Sequence, residues 1–439
     1  MTALKPLLST LSVISLMAVL GTLPVTSEAA RKKEAAAEPT EPQPDYSKGF
    51  RKRAGDVQKD VTEKKWPEVL AGVAELEALP DLTRDDRRVI LSWKFQAQQG
   101  SGDKEGFNQT LEAFLSEGFA TPDQVGPMNQ QLAAWYNSKK DMEKTLFHYQ
   151  AYVEATAEPS ASDLITLGRL NLQTGNNAKG VEWLKRAASA AEAAGGVADE
   201  LIFQLLDRTY VDLGDTDGRL ANLEELVKRY PKPEYYSRVM ALYAQAVKDD
   251  RVTMLNLYRL AMRDVGLATV GEYLGYADNA LVLGSPGEAE RAMRKGMDAG
   301  VVPSVGTNQE TLQESKAAVN RDRKDLPKDA QVAAKNPAGE FAVKVALGYY
   351  SLGDWEQAVS GVKLGLAKGG VKRMDDANLL LGASLVELGR LEEANAAFDA
   401  AAAAASDRYM KGIAGMWKGL VARNQSPAPA QPDSPEPEA

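Results

Sequence analysis

The feature that most constrains this chain is a repeat near its end. Val345, Ala346, Tyr349, Gly353, Trp355 and Ala358 recur 36 positions on as Leu381, Gly382, Leu385, Gly389, Leu391 and Ala394. Apolar positions fall on apolar ones and small on small. Helix patterns at Phe341–Leu352 and Trp355–Lys368 flank a Gly-Asp turn; those at Asp376–Leu388 and Leu391–Ala404 flank a Gly-Arg turn. A helix pair of this size cannot bury its apolar face alone, so pairs repeated at a fixed period must stack on one another.

The register extends backwards. Leu164, Leu167, Gly168, Gly175, Gly180, Leu184 and Ala187 form one copy. Phe203, Leu206, Tyr210, Gly214, Leu223, Leu226 and Pro231 form another, and Tyr273, Tyr276, Ala277, Gly284, Ala289 and Met293 a third. The residue opening the second helix falls at Val69, Phe107, Thr145, Gly180, Arg219, Met254, Ala289, Ala358 and Ala394, at intervals near 36 except for one gap of 69. That gap is two periods. Residues 305–337 therefore read as a degenerate repeat or as a flexible joint. From Gly49 to about Asn424 the pattern is helical, and even Val89–Phe95 continues a 3.6-residue period to Gln99.

An aromatic, Leu-Gly, Tyr, then Ala, Phe, Ala and Pro at this period resembles the tetratricopeptide repeat. Ala346, Tyr349, Gly353, Trp355 and Ala358 carry one copy; Gly382, Leu385, Gly389, Ala394 and Phe398 carry the next; Leu167, Gly168, Gly180, Leu184 and Ala187 carry a third. Val69, Phe107, Arg219 and Met254 depart from the family's Ala, with Gly218 beside Arg219 as the alternative. The resemblance implies an all-α, right-handed superhelical solenoid of about nine to ten helix-turn-helix repeats. It implies binding of a protein or peptide in a concave groove rather than turnover. The first helix of each pair would line that groove. Arg169, Arg208 and Tyr243 then form successive rungs, with Gln173 and Gln204 on the same faces and Gln96 and Asp278 further along. Two guanidiniums beside an aromatic suit an acidic or C-terminal carboxylate on an extended peptide. If each repeat touches only its neighbours, residues 49–304 should fold without the rest.

The ends differ from the array. Lys5, the apolar run Leu7–Leu20 and Ser27-Glu28-Ala29 read as a secretory signal over residues 1–29, cleaved after Ala29. The run is shorter than the ~20 residues that span a bilayer. Residues 30–47 read as a disordered Ala/Glu/Pro linker and 425–439 as a disordered Pro-rich acidic tail. Between them lie an N-terminal array, 48–304, and C-terminal repeats with a capping helix, 338–424. Export, no cysteine and no lipidation site fit a bacterial periplasm.

The chemistry on offer is sparse. With 52 basic against 61 acidic residues, net -9, no general affinity for nucleic acid is expected. No cysteine is present and His148 is the sole histidine, so thiolate catalysis, Cys-ligated zinc and His-pair metal sites are excluded. Ser101–Lys104 and Ser360–Lys363 match Ser-x-x-Lys, but no companion motif accompanies them. Asp212–Gly218 hints at a calcium loop, yet Leu213 and Leu223 stand where ligands are required. No catalytic, cofactor or metal residue is assigned. The reading is a periplasmic scaffold for protein or peptide partners in the cell envelope. The alternative is an envelope polysaccharide-processing enzyme with an α-superhelical fold and paired carboxylates, which buried acids in a closed pocket would favour.

Overall fold

The computed structural model describes residues 44–425. The stretches read above as a secretory signal and an acidic tail, and most of the one read as a linker, lie outside them. The described residues form 20 helices, divided between two compact units, 44–202 and 203–425.

In unit 1 the helices are α1 (Lys48–Thr62), α2 (Trp66–Glu77), α3 (Arg84–Ser101), α4 (Lys104–Ser116), α5 (Pro122–Ser138), α6 (Met142–Ala155), α7 (Ala161–Gln173) and α8 (Asn177–Ala193). They make four hairpins packed in series. One local device recurs at the turns. A residue in the left-handed conformation ends the first helix, and an Asp then caps the second. Gly102 (φ 78°) precedes Asp103, whose side chain accepts from Gly106 N. Lys140 (φ 61°) precedes Asp141, which accepts from Lys144 N. The left-handed residue satisfies the last carbonyls, and the Asp satisfies an orphan amide of the next helix. Thr83 and Ser160 open α3 and α7 with reciprocal capping boxes. Where α7 crosses α8, a Cβ on Gly168 would sit 2.8 Å from Leu184 Cγ, so only glycine allows this approach.

In unit 2 the chain continues with α9 (Glu200–Leu213), α10 (Thr216–Arg229), α11 (Pro233–Val247), α12 (Arg251–Asp264), α13 (Val270–Val282), α14 (Pro286–Asp298) and α15 (Thr307–Lys335). Then come α16 (Glu340–Leu352), α17 (Trp355–Lys368), α18 (Met374–Glu387), α19 (Leu391–Ala404) and α20 (Arg408–Gln425). Segment 305–337 is thus mostly one helix, α15, with Pro327 inside it. Its final carbonyls, from Ala333, Ala334 and Asn336, accept from the Lys368 ammonium at 2.6–2.8 Å. The Gly-Asp device recurs at Gly214-Asp215 and Gly353-Asp354.

Unit 2 departs from a simple series. After α15 the chain doubles back: α16 packs on α14, α18 on α12, and α20 on both α12 and α10. The second helices of the earlier pairs are thereby covered by the first helices of the later ones. Thr253–Ala261 of α12 is buried without interruption, as is Ala377–Val386 of α18. A helix buried on all sides belongs in an interior rather than on a surface, and Ala377–Val386, apolar but for Asn378 and Ser384, is such a stretch. Polar contacts fix the docking. Arg259 of α12 meets Glu288 of α14 in a pair almost without solvent, Nη2 to Oε2 at 2.6 Å. Tyr276 and Ser285 also donate to that carboxylate. Burial works against the charge on Glu288, but the Arg259 guanidinium holds its carboxyl below the usual range. Asn256 of α12 donates to Asp376 of α18 at 2.7 Å.

This corrects the expectation that residues 49–304 need only their sequence neighbours. Within unit 2, the α10 and α12 faces are completed by residues beyond 373.

Candidate functional site

The face the first helices leave open in unit 2 lies on α9 and α11. Along α9, Ile202, Phe203, Leu206, Asp207 and Tyr210 are buried, while Gln204 and Arg208, one turn apart, are exposed. Asp207 is a carboxylate in an apolar row. Such a group costs several kcal/mol, on the order of 3–5, if left unpaired. Here two guanidiniums hold it: Arg219 of α10 donates to Oδ1 and Arg238 of α11 to Oδ2, each at 2.8 Å. Arg238 also lies 5.7 Å from the Tyr235 ring centroid, and Gln204 donates to the Tyr235 hydroxyl at 3.0 Å. Beside this cluster Arg208 makes no hydrogen bond or ion pair with another described residue. Arg208 and Asp212, one turn apart on α9, form no ion pair. Two arginines thus hold one buried carboxylate, and exposed Asp212 and Glu234 share the open faces with Arg208 and Arg238.

The other sequence-picked residues are placed as follows. Gln204 and Arg208 share one face of α9. Arg169 is half-buried in α7 between buried Gly168 and Leu170, and Gln173 is exposed at the end of that helix. Gln96 is half-buried in α3. Asp278 of α13 is exposed and paired with Arg251 at 2.5 Å. Tyr243 is corrected: it is fully buried, and its hydroxyl donates to Glu224 at 2.9 Å and to the Tyr409 carbonyl of α20 at 3.2 Å. The reason is register. The buried rows of α11 are Tyr235, Tyr236, Val239, Met240, Leu242 and Tyr243, so its open face carries Glu234, Arg238, Ala241 and Gln245. In α10 the small contact position is Gly218, where a Cβ would meet the Tyr210 ring, rather than Arg219. Asp207, Arg219 and Arg238 escaped the sequence reading. The signal was an acid at a core position of α9, which requires a cationic partner.

The remaining motifs have structural explanations. His148 is buried in unit 1, stacked on Tyr136 with ring centroids 5.4 Å apart, its Nδ1 2.9 Å from Asn129 Oδ1. Burial lowers its pKa and keeps it neutral. Ser101 donates to the Gln98 carbonyl at 3.3 Å, and Lys363 pairs with Glu393. Asp215 caps α10 through Gly218 N at 2.8 Å and Asp250 caps α12. The buried acids each have a structural partner: Asp86 caps α3, Asp207 binds two arginines, Glu224 takes Tyr243, Glu288 takes Arg259, and Asp375 takes Arg373. Among the described residues no helix is long and apolar enough to cross a membrane.

Helix hairpins of 12–18 residues per helix, small residues at the crossings and a capped turn between them define the class. This is an all-α protein of tetratricopeptide-like repeats, nine hairpins together with α15 and α20 among the described residues. No protein-family model matches the chain, and no curated protein sequence does. Solved structures that resemble it include a tetratricopeptide repeat protein from Parabacteroides merdae, at 15 % identity over 67 % of this chain and 99 % of that one, with TM-score 0.26. The TPR2AB domain of yeast Sti1 in complex with an Hsp90 peptide gives 10 %, 67 %, 98 % and 0.22. Naa15/Naa10 bound to HypK-THB gives 16 %, 80 %, 53 % and 0.29.

Proposed function

We propose that this protein is a non-enzymatic scaffold that binds acidic, extended segments of protein partners on its first-helix faces. The observation that carries this reading is Arg208, exposed on α9 with no hydrogen-bond or ion-pair partner among the described residues, beside the cluster of Asp207, Arg219 and Arg238. A guanidinium binds a carboxylate through two parallel hydrogen bonds, so this face selects acids over other side chains. In unit 1, taken by itself, Arg169 of α7 is also without a partner among the described residues. The test is a peptide array of acidic and neutral sequences. Arg169→Glu with Arg208→Glu should weaken acidic-peptide binding by about tenfold or more, the loss expected for charged hydrogen bonds. Lys179→Glu with Lys411→Glu, both exposed and on other faces, should leave it unchanged. Equal effects from the two pairs would reject the site.

We further place the protein in the periplasm, exported with loss of residues 1–29. The support is the short apolar run after Lys5, the small residues Ser27 and Ala29, and the absence of cysteine. N-terminal sequencing of the native protein should begin at Ala30; a chain starting at Met1 would overturn the assignment.

A further inference from the structure

The first helix of unit 1 divides its two sides sharply. Phe50, Ala54 and Val57 of α1 are buried, in one cluster with Val69 and Val73 of α2 and Trp93 of α3. A helix turns about 100° per residue, so Lys48, Lys52 and Lys59 fall within an arc of about 40° on the opposite side. Arg51 flanks them, and all four side chains are exposed. None of the four makes an ion pair or side-chain hydrogen bond with another described residue. Asp56 is the one exposed acid of α1, and Asp60 lies half-buried at the edge of the ridge. The acids of the neighbouring segments are engaged elsewhere. Glu75 pairs with Arg53 at 2.5 Å, Glu63 with Lys65 at 2.6 Å and Glu77 with Lys94 at 2.8 Å, while Glu68 acts on Lys65. The ridge is also open: a Cβ built at Gly55, between Lys52 and Lys59, would meet nothing within 4 Å.

These features select a partner. Lysine ammoniums are compact point charges with no fixed direction of approach, unlike the forked guanidiniums that grip one carboxylate. A row of them suits a layer of anions whose members can shift to meet it. The ridge from Lys48 to Lys59 is straight and about 16 Å long. No large apolar side chain is exposed on α1, whose apolar side is committed to the core of unit 1. The helix therefore has nothing to insert and must meet its partner at a polar surface. No aromatic stands among the four cations to stack a base, which sets single-stranded nucleic acid aside.

We propose that the lysine ridge of α1 docks unit 1 on the surface of a bilayer containing anionic phospholipid, with the helix lying along the headgroup phosphates and not inserted. The contact is reversible and governed by salt. It does not depend on the arginine face of α9 and α11.

The test is partitioning of the native chain onto vesicles. One set holds one part phosphatidylglycerol to two of phosphatidylcholine, and the other phosphatidylcholine alone. Binding is expected to the first set only, and to be released between about 0.05 and 0.5 M salt as the Debye length shrinks. Each basic side chain near an anionic surface is worth a factor of about five in partitioning, so Lys52→Glu with Lys59→Glu should lower it about 25-fold or more. Asp56→Lys should raise it by a similar factor per charge. Lys104→Glu with Lys179→Glu makes the same change of net charge at exposed positions off the ridge and should leave partitioning within about twofold. Circular dichroism of each variant should match the parent, since every substituted side chain is in solvent. Equal binding to both vesicle sets, or equal losses from the two lysine pairs, overturns the proposal. So does binding to duplex DNA that the ridge substitutions abolish while neither vesicle set is bound, which would make the ridge a nucleic-acid face.

Discussion

At the scale of single residues, the interior of unit 2 is decided by charge as much as by apolar packing. Arg259 and Glu288 expose 2 % and 0 % of their side chains. Such a pair adds little against a well-packed apolar alternative, but removing one partner strands the other. Glu288→Gln should therefore cost about 3–5 kcal/mol at pH 7 in urea unfolding of unit 2. The pH dependence has a definite sign. The Glu288 carboxyl is held below its usual range in the folded state, so its contribution is present above the ordinary carboxylate pKa. It is lost as pH falls through the lowered value. The gap between parent and Glu288→Gln should narrow on acidification, and a gap that widened would mean the pair is not the source. Glycine matters in the same confined way at Gly412 of α20, where an added Cβ would lie 2.9 Å from Glu224 Cδ.

At the scale of elements, α20 is more than a polar cap on the last repeat. Met410, Ile413, Ala414, Met416, Trp417, Leu420 and Val421 are all buried in it, and it lies on α10 and α12 as well as α19. Ending the chain at Ala404 should abolish cooperative melting of unit 2 while the helical signal of unit 1 persists. Circular dichroism with limited proteolysis reads both. A truncated chain whose unit 2 melted as before would show that α20 is dispensable. Most of this level was legible in the sequence. The hairpins followed from a Gly-Asp turn at a constant period, because that turn chemistry is local. The doubling back was not legible, because it joins residues 60 to 196 apart in the chain. Its one trace was Ala377–Val386, with only Asn378 and Ser384 polar where a surface helix would show a polar stripe. The arginine face was half legible: Arg208 follows from helical spacing, but Arg238 depends on the register of α11, which six large apolar residues leave ambiguous.

At the scale of the molecule, helix hairpins in series serve two ends. Unit 1 keeps them in sequence order, hairpin upon hairpin, while unit 2 spends the same motif on burying itself. That doubling back has a topological consequence. Phe203, where unit 2 begins, and Gln425, where its last helix finishes, both lie at the end of α10. Domains whose ends meet tolerate having those ends joined and the chain opened elsewhere. The exposed loop at 303–306, between α14 and α15, is such an opening. A circular permutant of unit 2, starting at Thr307 and finishing at Val305 with a short linker from Gln425 to Phe203, should melt as one cooperative body. Failure to fold would place the old termini further apart than α10 does. Success would mean that unit 2 can be inserted whole into a loop of another protein, carrying its arginine face with it as a portable module.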